Sequence, residues 1–366
     1  MTLTPTGLQR FWQLRHDAVA SVTERFYATH GTVYRQWGPR GREACREDIG
    51  FHIEFLRPVL EFGLVQPMVS YLLWLREVLD ARGIPSGHLA QSLHWLGDFY
   101  AAHLDEPDAA TVQAALDGVL LELAQAEQMP PAASPVQPNA ANAANAAAWP
   151  EVCEFEHALL RGNRNDAQQV VQRCLDQGHS LVSIEAHVVQ PAMVRIGDGW
   201  QANRVSVAQE HMATAIAHAV ISASLEQHSL PPPNGHHIIL ACVEGNHHAL
   251  GLRMVADAFE VQGWDVTYLG ANVPTRALVD MVTTEQPDLL GLSVSFPQQL
   301  GTVRTIIAQL NAHLPDVRPP VLVGGLAINR FLPLADMLGA EGHAASALDA
   351  VDVAQRLLKQ PQPNGH

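Results

Sequence analysis

Apolar residues recur at helical spacing through the first third of the chain. In REDIGFHIEFLRPVLEFG and QPMVSYLLWLREVLDARG they stand three and four positions apart, and no stretch alternates apolar with polar convincingly, so helices are predicted. Gly83-Ile84-Pro85-Ser86-Gly87 ends one helix, and Leu89, Leu93, Leu96 and Tyr100 then repeat at i, i+4, i+7 and i+11 along the next. An all-α domain of five or more helices is expected over residues 1–128. Residues 151–230 also read as helical, with Phe155, Leu159 and Leu160 on one face and an Ala-rich last helix from Val207. That length suits a four-helix bundle. From residue 236 to about 360 the pattern changes. The short apolar runs HIILACV, DVTYLG, LLGLSVS and PVLVGG alternate with helical segments at the spacing of βαβ units, which predicts a Rossmann-like α/β domain with a parallel, doubly wound sheet.

Two breaks separate these pieces. Residues 129–150 are dominated by Ala, Asn and Pro and lose both charge and apolar periodicity, so they read as a linker. Pro231-Pro232-Pro233-Asn234-Gly235 combines helix breakers with turn formers. The chain has 366 residues, 47% of them hydrophobic and 16% charged, which is ordinary globular composition divided among several domains. Its formal charge of −15 repels a phosphate backbone, and no local basic patch offsets this, so no nucleic-acid partner is expected. The four cysteines, Cys45, Cys153, Cys174 and Cys242, form no C-x-x-C pair. No signal peptide or membrane-spanning run is evident, and a cytoplasmic protein with no membrane partner is expected.

The α/β piece holds the clearest chemistry. Its first predicted strand runs into Glu244-Gly245-Asn246-His247-His248-Ala249-Leu250-Gly251, where ligands bind in open α/β sheets. The third strand ends in Ser293, Val294 and Ser295 and the fourth in Gly324 and Gly325, leaving backbone without side chains at the same edge. A solvated turn is the plain alternative for the two histidines alone. The three elements together resemble the cobalamin-binding signature D/E-x-H-x-x-G … S-x-V/L/T … G-G. The resemblance implies that His248 reaches cobalt from below and that the displaced nucleotide tail lies beside Ser293, Gly324 and Gly325. Register against Gly251 points to His248, with His247 as the alternative. Where the family usually carries a carboxylate to orient the imidazole, this chain has Asn246, whose amide oxygen is expected to accept from the ring without adding charge.

In the helical piece, Trp200 is followed nine residues later by Glu210-His211, and Ser206 with Gln209 forms a capping-box pattern that sets the pair in or near the first turn of the last helix. There the helix dipole favours the Glu carboxylate and disfavours imidazolium. This spacing resembles the cap of light-sensing adenosylcobalamin proteins of the MerR-type repressor kind. The resemblance implies that Trp200 packs on the adenosyl group, that Glu210 contacts it, and that His211 takes the upper cobalt position after illumination.

The domain order, a helical domain before such a cap and a cobalamin fold, is similar to that of the photocobilins, which pair cobalamin with biliverdin. That resemblance implies a globin-like or phycocyanin-like N-terminal domain. His52, Arg57, Tyr71, Trp74, Arg76, His88, His94 and Trp95 are the residue types that would hold a bilin, bound noncovalently rather than through Cys45; a haem is the rival ligand there. The expectation is a photoreceptor rather than an enzyme, a homo-oligomer whose state changes with light and whose signal passes to a downstream protein. The alternatives are a corrinoid carrier of a methyltransferase system and an interaction scaffold.

Overall fold

The computed structural model describes residues 2–127, 149–330 and 334–359; most of the predicted linker lies outside them. The chain divides into two compact units, residues 1–137 and 138–366.

The first unit contains six helices among its described residues: α1 (Pro5–Gln13), α2 (Arg15–Tyr34), α3 (Gly38–Phe62), α4 (Gln66–Ala81), α5 (Leu89–His103) and α6 (Glu106–Glu127). Local chemistry sets several of their ends. The Thr4 side chain accepts from the Gly7 N–H to open α1, with Pro5 in the first turn. Gly63 closes α3 with φ +74°, a conformation glycine adopts without a Cβ penalty. The repeat on α5 faces inward as its spacing predicts, since Leu93, Leu96 and Tyr100 are fully buried. Tyr100 stacks on Phe11 with ring centroids 4.4 Å apart.

The second unit begins with α7 (Glu151–Leu160), α8 (Arg164–Asp176), α9 (Leu181–Ile184), α10 (Gln190–Gln201) and α11 (Val207–Glu226). A π-turn, Glu185–Val189, joins α9 to α10. Val152, Phe155, Leu159, Val170, Val188, Ile196 and Val220 meet in the core between these helices, and Ala213 and Ala217 let α11 approach closely. Gly199 permits the tight return from α10, because a Cβ there would lie 2.7 Å from Val205 Cγ2.

The remainder is a five-stranded parallel sheet: β1 (His237–Val243), β2 (Asp265–Val273), β3 (Leu289–Ser293), β4 (Val321–Gly324) and β5 (Gly342–Ala344), in the order β2-β1-β3-β4-β5. Helices α12 (Leu250–Glu260), α13 (Thr275–Glu285), α14 (Leu300–His313), α15 (Leu326–Arg330), α16 (Leu334–Leu338) and α17 (Ala347–Lys359) connect and cover it. The four apolar runs are strands, and β1 is buried along nearly its whole length, as a central strand covered on both faces must be. The order reverses between β1 and β3, so the crevice for a ligand opens at their carboxyl ends.

The helical and α/β halves of this unit interlock. Met254 of α12 joins the helical core, and Val182 of α9 joins the core of the sheet. Beside them lies a buried polar group. Glu185 is 1% exposed and Asp257 fully buried, and their carboxyls meet. Arg253 pairs with Asp257, reaches Glu260 at 3.0 Å, and holds its guanidinium 5.2 Å over the Tyr268 ring. Burial, followed by the charge of Asp257, pushes the Glu185 carboxyl up to about 10. Burial therefore favours a protonated Glu185 beside Asp257, whose charge the guanidinium holds.

Candidate functional site

The strand register sets out the lower part of the site. Cys242, Ser293, Gly324 and Ala344 are successive partners across the carboxyl edge. After β1 the chain turns at Gly245, φ +83°, and hydrogen bonds on both sides brace the next residues. The Gly245 N–H donates to Asn272 Oδ1 at 2.7 Å, and the Asn272 N–H donates to the Asn246 carbonyl at 2.8 Å. Asn272 does this at φ +51°, which Asn tolerates better than most residues. Glu244 Oε2 accepts from the Thr275 N–H and hydroxyl, both at 3.2 Å.

Asn246 corrects the sequence expectation. Its Oδ1 accepts from the His248 backbone N–H at 3.1 Å rather than from an imidazole, and its Nδ2 donates to the Ser293 carbonyl at 2.9 Å. A short amide at a turn captures the backbone two residues on more readily than it reaches a neighbouring ring. Asn246 is thus a buried cross-link between the loops after β1 and β3. The His248 ring instead meets the edge of Phe296, with centroids 5.1 Å apart. Desolvation lowers the His248 pKa, so the ring is held as the neutral, metal-competent form, while Glu210 pulls the other way. His247 is exposed.

The two glycines that end β4 pack closely against neighbouring backbone. A Cβ on Gly324 would lie 3.2 Å from the Ala344 carbonyl. One on Gly325, at φ +98°, would lie 2.6 Å from the Val294 carbonyl and 2.9 Å from its nitrogen. Gly325→Ala is therefore expected to cost about 1–3 kcal/mol of stability through strain at this φ, measurable as a lower urea midpoint in the cofactor-free protein. Val294 serves the slot through its backbone, since its side chain is fully buried, its N–H donates to Gly324 and its carbonyl accepts from Ala327. The Ser295 N–H donates to Gln299. Ser293 is 8% exposed at the base. Gly251, by contrast, has nothing within 4 Å of the place its Cβ would take, leaving the mouth of α12 open to a close approach. The carboxyl edge therefore joins a neutral imidazole, closely packed glycine backbone after β4 and open space beside Gly251.

The upper part comes from α10 and α11. Ser206 and Gln209 form the expected capping box. Trp200 lies half-buried in the last turn of α10. Glu210 Oε2 is 2.5 Å from His211 Nδ1, and Glu210 Oε1 accepts from Thr214 at 3.0 Å. His211 is exposed, as are the apolar side chains of Val207 and Met212 beside it. α11 packs against α12, the helix that follows the loop after β1, and the Glu210 charge acts on His248 from there.

The residues proposed for a bilin fall into separate sets of contacts. His52 is buried, with Nδ1 2.9 Å from the Tyr71 hydroxyl, and Tyr71 is near Trp74. Burial lowers the His52 pKa to about 4. Arg57 pairs with Glu61 and lies over Trp12. His88 belongs to another group, stacked 3.8 Å from His30 and within 3.1 Å of the Tyr34 hydroxyl, with Phe26 and His30 near Trp95. His94 is exposed and donates to Ala90 of its own helix. Burial, then Asp48, pushes the Cys45 thiol up to about 12, which disfavours a thiolate.

Sequence reasoning missed Asn272, Phe296 and Gln299. Each acts through a contact between loops far apart in sequence, and no local spacing signals it. Only the Asn type of residue 272 hinted at a positive φ.

Comparison with known proteins adds two domain matches. Residues 236–352 and 154–224 each match a B12 binding domain family. The HTH-type transcriptional repressors CarA and CarH of Myxococcus xanthus are 31% identical over 189 residues and 30% over 151. These alignments cover 50% and 41% of this chain, and 62% and 50% of the repressors, so the chain spans about half to three-fifths of their length. Trimethylamine corrinoid protein 2 of Methanosarcina acetivorans is 24% identical over 213 residues, covering 57% of this chain and 96% of that protein. No helix among the described residues is long and apolar enough to cross a membrane. The chain carries B12 binding domains over residues 154–224 and 236–352, and these, with the crevice that they frame, support a cobalamin cofactor.

Proposed function

We propose that this chain is a light sensor rather than an enzyme, with adenosylcobalamin held between the helical and α/β halves of its second unit. The observation behind the reading is that α11, which bears Glu210 and His211 just after Trp200, packs against α12, the helix that His248 leads into, and that the Glu210 charge is felt at His248. From the α/β side His248 offers a neutral imidazole to cobalt, and Ser293, Gly324 and Gly325 receive the nucleotide tail beside Val294 and Ser295. From the helical side Trp200 and Glu210 cover the adenosyl group, with exposed Val207 and Met212 adding apolar surface. The bound cofactor supplies a cobalt–carbon bond that light cleaves. Glu210 accepts the Nδ1 proton of His211, which leaves the other ring nitrogen with its lone pair exposed, the form in which imidazole binds a metal. A signal arises because ligation by His211 and its absence favour different positions of α11. The change of oligomeric state and the downstream partner belong to this proposal.

The test is an absorption spectrum before and after green illumination, run beside size-exclusion chromatography, for the wild type and His211→Ala. Dark binding is expected to be equal in the two proteins, with a stable bis-imidazole light state in the wild type alone. An unchanged light-state spectrum in the variant would reject the role of His211.

Biliverdin in the first unit, bound without a covalent link, is the second part of the proposal. It draws on the half-buried rings of His88 and His30 beside the buried Tyr34, a cluster suited to pack on pyrroles. A red absorption band on mixing with biliverdin supports it, and no band removes it. The second reading is a corrinoid carrier, favoured by the near-complete span of the trimethylamine corrinoid protein. Tighter binding of methylcobalamin than adenosylcobalamin, with no structural response to light, would select that reading.

A further inference from the structure

The turn after β3 carries a side chain that the functional reading leaves unused. Gln299 closes the short turn Pro297–Gln299 and is 5% exposed. Its Oε1 accepts from the Ser295 N–H and the Phe296 N–H, both at 3.1 Å, and its Nε2 donates to the Gly245 carbonyl at 2.9 Å. One amide therefore ties the loop that leads to His248 to the loop that follows Ser293. It also fixes the backbone of Phe296, whose ring meets His248 edge-on at 5.1 Å and 74°.

A metal-bound imidazole commonly has its ring direction set by a hydrogen bond from its second nitrogen. Asn246, at the position from which such a bond would come, spends its amide on the His248 backbone and on Ser293. The direction of the ring is then left to packing, and packing is only as fixed as the backbone that carries Phe296. We propose that Gln299 is the positioning residue of the lower ligand, presetting the direction of the His248 ring through Phe296 and through Gly245. This rests on His248 being the lower cobalt ligand.

The test uses the full chain labelled with heavy-nitrogen histidine, loaded with cobalamin and reduced to Co(II). In the electron paramagnetic resonance spectrum a histidine ligand then gives a doublet splitting, whereas the cofactor's own base gives a triplet. The wild type is expected to show the doublet and His248→Ala to lose it. Gln299→Met keeps the volume and removes all three hydrogen bonds. It is expected to bind cobalamin about tenfold more weakly, to lose most of the doublet, and to exchange the Ser295 and Phe296 amide protons faster in cofactor-free protein. Gln299→Glu keeps an oxygen that accepts from the Ser295 and Phe296 N–H groups, at the N-terminus of α14 where an acid is favoured, and loses only the donor to the Gly245 carbonyl, so it should retain more of the doublet than Gln299→Met. A full doublet with wild-type affinity in Gln299→Met overturns the proposal, as does a smaller doublet in Gln299→Glu than in Gln299→Met. A wild type without the doublet rejects the ligand role of His248 itself, and the inference falls with it.

Discussion

His248→Ala is expected to lower the affinity for cobalamin by roughly 100-fold or more, because loss of even an outer partner of a metal ligand costs 10–100-fold. Equilibrium dialysis with hydroxocobalamin measures this directly. The fold should survive the change, since the loop that carries His248 is held by Asn246, Asn272 and Gln299 through its backbone atoms. The urea midpoint of the cofactor-free variant should therefore stay close to that of the wild type. Undiminished affinity in a folded variant would move the ligand role to His247.

A second large effect should appear as a pH profile. Glu185 binds its proton in the fold up to about 10, against an ordinary value of 4.5. Between those limits the folded chain holds a proton that the unfolded chain has released, so stability is greatest at the acid end and falls as pH rises. The slope is roughly 1.4 kcal/mol per pH unit for one proton. The groups facing Glu185 are Asp257, Arg253 and Glu260 from α12, with His218 of α11 and Tyr268 of β2 nearby. Desolvation lowers the His218 pKa, which leaves it neutral above pH 7. Glu185→Gln retains a donor to Asp257 and removes the titration. Between pH 7 and pH 9 it should gain about 3 kcal/mol relative to the wild type, read from urea unfolding at the two pH values. Parallel profiles for the two proteins would put the proton elsewhere. Asp257→Ala, which strips a buried guanidinium of its nearest charge, is expected to cost about 3 kcal/mol at pH 7.

Much of this architecture is legible in the chain itself. The runs HIILACV and LLGLSVS are strands because a parallel strand covered on both faces must be apolar throughout, and that composition is visible without any partner. The capping box at Ser206 is equally local, and it sets Glu210 in the first turn of α11 with His211 directly after it. β5 escapes notice because three residues, Gly342–Ala344, are too few to show a pattern. Asn246 misled for a different reason. A motif position suggests a partner, but the partner of a short amide is decided by whichever backbone group the turn brings within reach, here the N–H of His248 and the carbonyl of Ser293. Gln299 and the Glu185–Asp257 contact join segments 54 and 72 residues apart, and no periodicity carries that information.

The exchange of Val182 and Met254 between the two cores also limits how the second unit can move. Lifting the helices bodily off the sheet would bring both side chains into water at once and strand the Arg253 charge group. A rotation about that shared patch exposes neither. On the proposed reading, an opening that lets a bulky group leave the cleft is expected as a swing of the far side about this patch.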